Sequence, residues 1–189
     1  MTLNHIGVTV GDLDKAIDFY TTVFGLTLLV GAETATRETA GADRRAEVFG
    51  ERWRGMRLAH LADENGTGIE LFQFLELEPV YPAEHFDYWR IGVSHFAFTT
   101  PDLEGVISRL EANGGKARTG IHVVRPGCRI CYCMDPWGNA VELSTGTYPQ
   151  THPSEVSPGL AGVCHGLRPE GRALTAASER IARKAGSPG

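Results

Sequence analysis

Residues 4–10 alternate, with Ile6, Val8 and Val10 on one face and His5, Gly7 and Thr9 on the other, the period of a half-buried strand. The period then changes. Leu13, Ala16, Ile17, Tyr20, Val23 and Phe24 fall on one stripe of an amphipathic helix, which Asp12 can cap and Gly25 can end in a left-handed turn. The same order returns later: Phe96 and Phe98 oppose His95, Ala97 and Thr99, Asp102 stands at a cap, and Leu103, Val106, Ile107 and Leu110 make a stripe closed by Gly114-Gly115. Further strands are expected at about 27–30, 56–61 and 68–75, then at 116–118, 121–125, 129–134 and 140–145. Asp135-Pro136-Trp137-Gly138-Asn139 is turn chemistry between antiparallel neighbours.

Two offsets describe this repetition. His5/His95, Asp12/Asp102, Leu13/Leu103 and Gly25/Gly115 are each 90 apart, whereas Glu70/Glu142 are 72 apart, so the first half carries 90 − 72 = 18 extra residues in its middle. The crowd of charges and small residues between Gly31 and Arg57 is where they are expected. Strand, helix and three strands, twice, predict an α+β fold of two βαβββ modules, 3–75 and 93–146, within a domain 1–148.

The chain has 189 residues, 42% hydrophobic and 22% charged, enough for one compact domain with a real core. A net charge of −5 argues against nucleic acid or an anionic membrane as partner. No apolar run is long enough to span a bilayer, and the first residues lack a secretory signal, so a cytoplasmic address is expected. Composition shifts near residue 149: five of the ten prolines fall in 149–189, a Pro/Gly-rich extension in which only a short helix over 174–184 is expected.

The candidate chemistry lies on the polar faces of the matched strands. Glu70 shares a face with Gly68 and Phe72, and Glu142 with Ala140 and Ser144, opposite the apolar Ile69/Leu71 and Val141/Leu143. A carboxylate inside an apolar strand is costly unless something positive or hydrogen-bonding meets it, and here the cost recurs at matched positions. His5, Glu70, His95 and Glu142, brought together by pseudo-twofold pairing of the halves, would make an N2O2 site for one divalent ion, with zinc, nickel, cobalt, manganese and iron all suited. Taken singly, each histidine also fits a satisfied core residue and each glutamate a solvated sheet face.

The run His5-Ile6-Gly7-Val8-Thr9-Val10, with Asp12-Leu13, Phe19-Tyr20 and Phe24-Gly25-Leu26, resembles the vicinal oxygen chelate superfamily, which includes glyoxalase I, methylmalonyl-CoA epimerase, extradiol dioxygenases and drug-resistance proteins. Asp135-Pro136-Trp137-Gly138-Asn139 with Val141-Glu142-Leu143 is similar to the family's last hairpin. The resemblance covers about residues 3–146 and implies sheets curled around a metal cleft, a homodimer, a small-molecule substrate, and ligands at His5, Glu70, His95 and Glu142. It leaves open whether one chain or two build a site.

The fourth position, Glu70, resembles the isomerase pattern more than that of the dioxygenases, which would use His5, His95 and Glu142 with iron(II). The resemblance therefore implies a lyase, isomerase or epimerase that abstracts a proton beside a carbonyl through a metal-stabilised enediolate. Glu142 takes the role of base and Glu70 is its symmetric candidate. Ring-cleaving oxygenation and ligand binding without turnover are the alternatives. Cys128, Cys131 and Cys133, with His122 or Cys164, could form a thiolate zinc site, but Cys131 and Cys133 fit small apolar residues on one strand face. Arg44, Arg45, Arg52, Arg54 and Arg57 could grip an anionic substrate or form a solvated face; Trp53, Phe72, Phe74 and Trp137 could wall a pocket or fill the core. His60, His85, His122 and His152 lack a matching histidine and carry no assignment.

Overall fold

The computed structural model describes residues 1–81, 88, 89 and 91–153. The chain divides into a unit Met1–Thr151 and a unit His152–Gly189, and the account below concerns the first. The helix expected at 174–184, Cys164 and His85 lie outside the described residues.

The first module runs β1 (His5–Thr9), α1 (Leu13–Phe24), β2 (Thr27–Thr36), α2 (Ala42–Phe49), β3 (Gly55–Ala62) and β4 (Gly68–Leu75). The second runs β5 (Phe96–Thr99), α3 (Leu103–Ala112), β6 (Lys116–Ala117), β7 (His122–Arg125), β8 (Cys128–Met134) and β9 (Ala140–Ser144), followed by a turn of helix α4 (Tyr148–Thr151). Each module is one mixed sheet, ordered β1-β4-β3-β2 in the first and β5-β9-β8-β6 in the second, with β7 also on β8. In both, the first strand lies parallel to the last and the others are antiparallel. This is the expected α+β architecture of two βαβββ modules.

The caps form as the sequence indicates. Asp12 accepts from the Lys15 amide and Asp102 from the Gly105 amide, and Gly25 closes α1 at φ 70°. Leu13, Ala16, Phe19, Tyr20 and Val23 of α1 and Leu103, Val106 and Leu110 of α3 are buried. They join Ile69, Leu71, Val141 and Leu143 in one core, with Phe24 stacked on Phe98 across the modules at 4.4 Å between centroids. Cys131 and Cys133 belong to this core at 1% and 0% exposure, which bears out their reading as small apolar residues. Burial pushes the Cys133 thiol up.

Two local features differ from expectation. β2 extends to Thr36 rather than ending near 30, because the 31–36 segment continues to pair with β3 through register shifts. The rest of the inserted stretch folds back as α2, which lays Ala42, Ala46 and Phe49 on a second apolar cluster with Trp53, Met56, Phe72 and Phe74. In the second module the place of β2 is taken by β6 and β7, two short strands on the same partner.

Candidate metal centre

Period-two alternation sets His5, Gly7 and Thr9 of β1 beside Glu70, Phe72 and Phe74 of β4, on the sheet face away from α1. Glu70 is half-buried between two imidazoles: His5 Nε2 lies 3.3 Å from Oε2, and His60 Nδ1 lies 3.3 Å from Oε1. In the second module His95 Nε2 lies 3.1 Å from Glu142 Oε2, and the Tyr132 hydroxyl is hydrogen-bonded to Glu142. Burial, followed by this carboxylate, pushes the Tyr132 phenol up to about 12, so it is a donor at any ordinary pH. Tyr88 and Tyr132 stand edge-on to the His95 ring, at 6.1 and 5.4 Å between centroids.

The histidines are oriented by their own neighbours. His5 Nδ1 donates to Asn4 Oδ1 at 2.6 Å, and His95 Nδ1 is paired with Ser94 Oγ at 3.1 Å. Asn4 and Ser94 are themselves 90 residues apart, so the orienting partner repeats along with the ligand candidate. A carboxamide oxygen only accepts, so Nδ1 of His5 carries a proton; in the neutral ring Nε2 then turns a lone pair towards Glu70 Oε2. Two lone pairs meeting in this way attract only through a cation or a proton between them. Two donors on one first-row ion, each about 2.1 Å from it, stand about 3 Å apart at right angles. Both His–Glu pairs have that spacing, so the residues fit a divalent ion.

The four expected ligands thus form two pairs, each on its own sheet. Among the described residues no group of three or more His, Cys, Asp or Glu side chains is arranged to hold one ion. Of the arginine run, Arg57 pairs with Asp14 at 2.8 Å, Arg54 donates to the Glu51 and Trp53 carbonyls, and Arg45 donates to the Ala40 carbonyl. Phe72 and Phe74 line the ligand-bearing face under α2. A cavity of about 270 Å³ beside Phe74 is lined in part by Thr9, Gly11, Phe49, Gln73, Glu78 and Val80, and by none of His5, Glu70, His95 and Glu142. Trp53 is buried within that cluster, whereas Trp137 packs edge-on against Phe19 at 6.4 Å, in the core between modules.

His60 is the site residue that sequence reasoning left unassigned. Its counterpart is a tyrosine rather than a histidine, yet the 72-residue offset of Glu70 and Glu142 also relates His60 to Tyr132, since 132 − 60 = 72. Both face their carboxylates directly across the ladder.

Residues 2–143 match the family described as the glyoxalase/bleomycin resistance protein/dioxygenase superfamily, and the chain belongs to it. It is 31% identical over 141 residues to a lactoylglutathione lyase of Arabidopsis thaliana, covering 74% of this chain and 42% of the plant protein. The chain therefore spans less than half the length of that relative. It is 27% identical over 148 residues to a 2-epi-5-epi-valiolone epimerase of an Actinomyces species, covering 76% of this chain and 78% of that one. Among solved structures, a glyoxalase family protein from Bacillus cereus superposes with a TM-score of 0.60 at 26% identity, over 75% of this chain and 91% of that one.

Proposed function

We propose that the protein is a divalent-metal-dependent lyase, isomerase or epimerase that removes a proton beside the carbonyl of a small substrate. The observation that carries this is the repeated pair, His5 Nε2–Glu70 Oε2 at 3.3 Å and His95 Nε2–Glu142 Oε2 at 3.1 Å, each with Nδ1 engaged by the preceding residue. His5, Glu70, His95 and Glu142 would hold the ion, whose contribution when bound is Lewis acidity towards a carbonyl or hydroxyl oxygen. Glu142 takes the substrate proton and returns it, from a carboxylate that Tyr132 steadies by hydrogen bonding. Glu70, with the same geometry, is the base for the opposite face of the substrate. The relatives named as a lyase and an epimerase support this class.

The two pairs would be gathered by a homodimer, in which the pair of one protomer meets the other pair of its partner. Exposed apolar residues on the outer strands support a second copy: Leu28, Leu29 and Val30 on β2, and Val123 and Val124 on β7.

Metal-loaded protein should be screened against small carbonyl compounds in deuterated water with oxygen monitored. Solvent deuterium entering the product without oxygen uptake is expected. Oxygen uptake restored by iron(II) would replace this reading with ring-cleaving oxygenation, and tight binding without chemistry would replace it with sequestration. Elemental analysis of wild type beside His95→Ala and Glu142→Ala tests the ligands, since full metal retention by both variants would show them wrongly chosen.

A further inference from the structure

Glu70 is held at both of its oxygens, by partners on opposite sides. Oε2 faces His5 on β1, while Oε1 faces Nδ1 of His60 on β3, which sits directly opposite Glu70 in the antiparallel register. On the His60 face of β3, Met56 is 2% and Leu58 8% exposed. An imidazole set in such a row is costly without a partner, and the partner here is the carboxylate. His60 reaches the oxygen turned away from His5, so it does not share an ion with His5. Its counterpart Tyr132, at the same 72-residue offset, is hydrogen-bonded to Glu142 from β8. A sheet neighbour that donates to the carboxylate therefore recurs in both modules even though its residue type changes.

Resting on the metal reading above, we propose that His60 is a positioning residue for Glu70. Its Nδ1–H holds Oε1, so Oε2 is presented at the point to which His5 Nε2 is directed. A free glutamate side chain spreads over many rotamers, and an ion that binds it must order it. A carboxylate fixed beforehand by its neighbour on the ladder presents its oxygen already placed. The role belongs to the N–H donor, so a replacement that donates from the same place preserves it, whereas one that only accepts faces Glu70 with a second anion.

The test uses the full chain, stripped of metal and titrated with cobalt(II), with affinity read by competition against a chromogenic chelator and geometry by the visible cobalt spectrum. His60→Leu should weaken cobalt affinity about 10- to 100-fold, the range for losing a group that orients a ligand, and should alter the spectrum. His60→Asn and His60→Asp, nearly equal in size, separate donor from bulk and keep the test decisive if the leucine variant does not fold. The asparagine variant should stay within about threefold of wild type, and the aspartate variant should lose at least about tenfold. Equal affinity and identical spectra across wild type, His60→Leu and His60→Asp would overturn the proposal while leaving the metal centre standing. Wild type that takes up no cobalt, like a His5→Ala control, would overturn the metal reading and this inference with it.

Discussion

The Tyr20 hydroxyl donates to Asp135 Oδ2 at 3.0 Å, joining α1 of the first module to the last hairpin of the second across 115 residues of sequence. Both groups are buried, Tyr20 at 0% and Asp135 at 3% exposure. Asp135 also accepts from the Trp137 and Asn139 amides and from Asn139 Nδ2, and Asn139 Nδ2 donates to Thr9 O at the end of β1. The carboxylate thus organises its own turn and ties that turn to the neighbouring module.

Tyr20→Phe should therefore destabilise the protein by about 1.5–3 kcal/mol at neutral pH, the usual cost of losing a hydrogen bond to a charged group. Burial holds the Asp135 carboxyl above its ordinary value of 3.8, with the Asn139, Tyr20 and Trp137 donors pulling it back down. A raised native pKa means that stability from this group is full below the unfolded value and is lost as pH rises through the folded one. Without the Tyr20 donor the folded value rises further and the loss at neutral pH grows. The deficit of the variant, measured by urea unfolding, should accordingly shrink as the pH is lowered towards 3.8.

Gly68 pairs with His5 in the parallel ladder, and a Cβ placed there would stand 2.9 Å from His5 Cβ, an atom that cannot swing away. Gly68→Ala should push β1 outward at the residue that carries the first imidazole. A stability loss of about 1–3 kcal/mol is expected from such overpacking, accompanied by reduced metal content by elemental analysis. Unaltered metal content would show that His5 lies outside the ion's reach.

Trp53 is 1% exposed, with the Arg37 guanidinium 5.4 Å from its ring centroid, and among the described residues its Nε1 is a buried polar atom without a partner. Its worth therefore lies in packing and in the ring's contact with Arg37, without a hydrogen bond from the indole nitrogen. Trp53→Ala should cost about 3–5 kcal/mol. Trp53→Phe keeps most of the aromatic contact and forfeits no hydrogen bond, so about 1.5 kcal/mol or less is expected. Thermal unfolding followed by circular dichroism separates the two, and equal losses would mean that the indole nitrogen contributes after all.

Mixing His5→Ala with His95→Ala tests the shared centre. If each site combines the first module of one protomer with the second module of its partner, a mixed dimer contains one site with both defects and one with neither. Co-refolded protein should regain metal binding and activity in the mixed fraction, although each variant alone has little. No recovery would place each site within a single chain.

Much of this was legible in the sequence because duplication leaves arithmetic behind. The 90-residue offset of His5/His95 and the 72-residue offset of Glu70/Glu142 located both modules, and alternation alone put Ile69 and Val141 under the helices. His60 has no matching histidine along the chain, because the fold preserves a donor opposite the carboxylate and is indifferent to whether it is an imidazole or a phenol. The charges and small residues of the inserted stretch carry no clear period after residue 30, yet pairing with β3 carries β2 on to Thr36. Nothing in the local pattern announces that α2 lies across Phe72 and Phe74, because that contact depends on chain that is distant in sequence.

That covering helix has a stereochemical consequence. The paired imidazoles and carboxylates repeat almost identically, and a centre built from them alone would present the same environment to either face of a planar intermediate. α2, with Phe49 and the nearby Trp53, stands over the first module's sheet, while Tyr132 of the second module, with Tyr88 packed against it, occupies the corresponding region. One wall is greasy and the other phenolic, so a substrate of the proposed reaction would settle in one orientation and its two faces would meet different glutamates. Handedness in the product would then originate in the 18 residues by which the halves differ, leaving the duplicated donors free to stay alike.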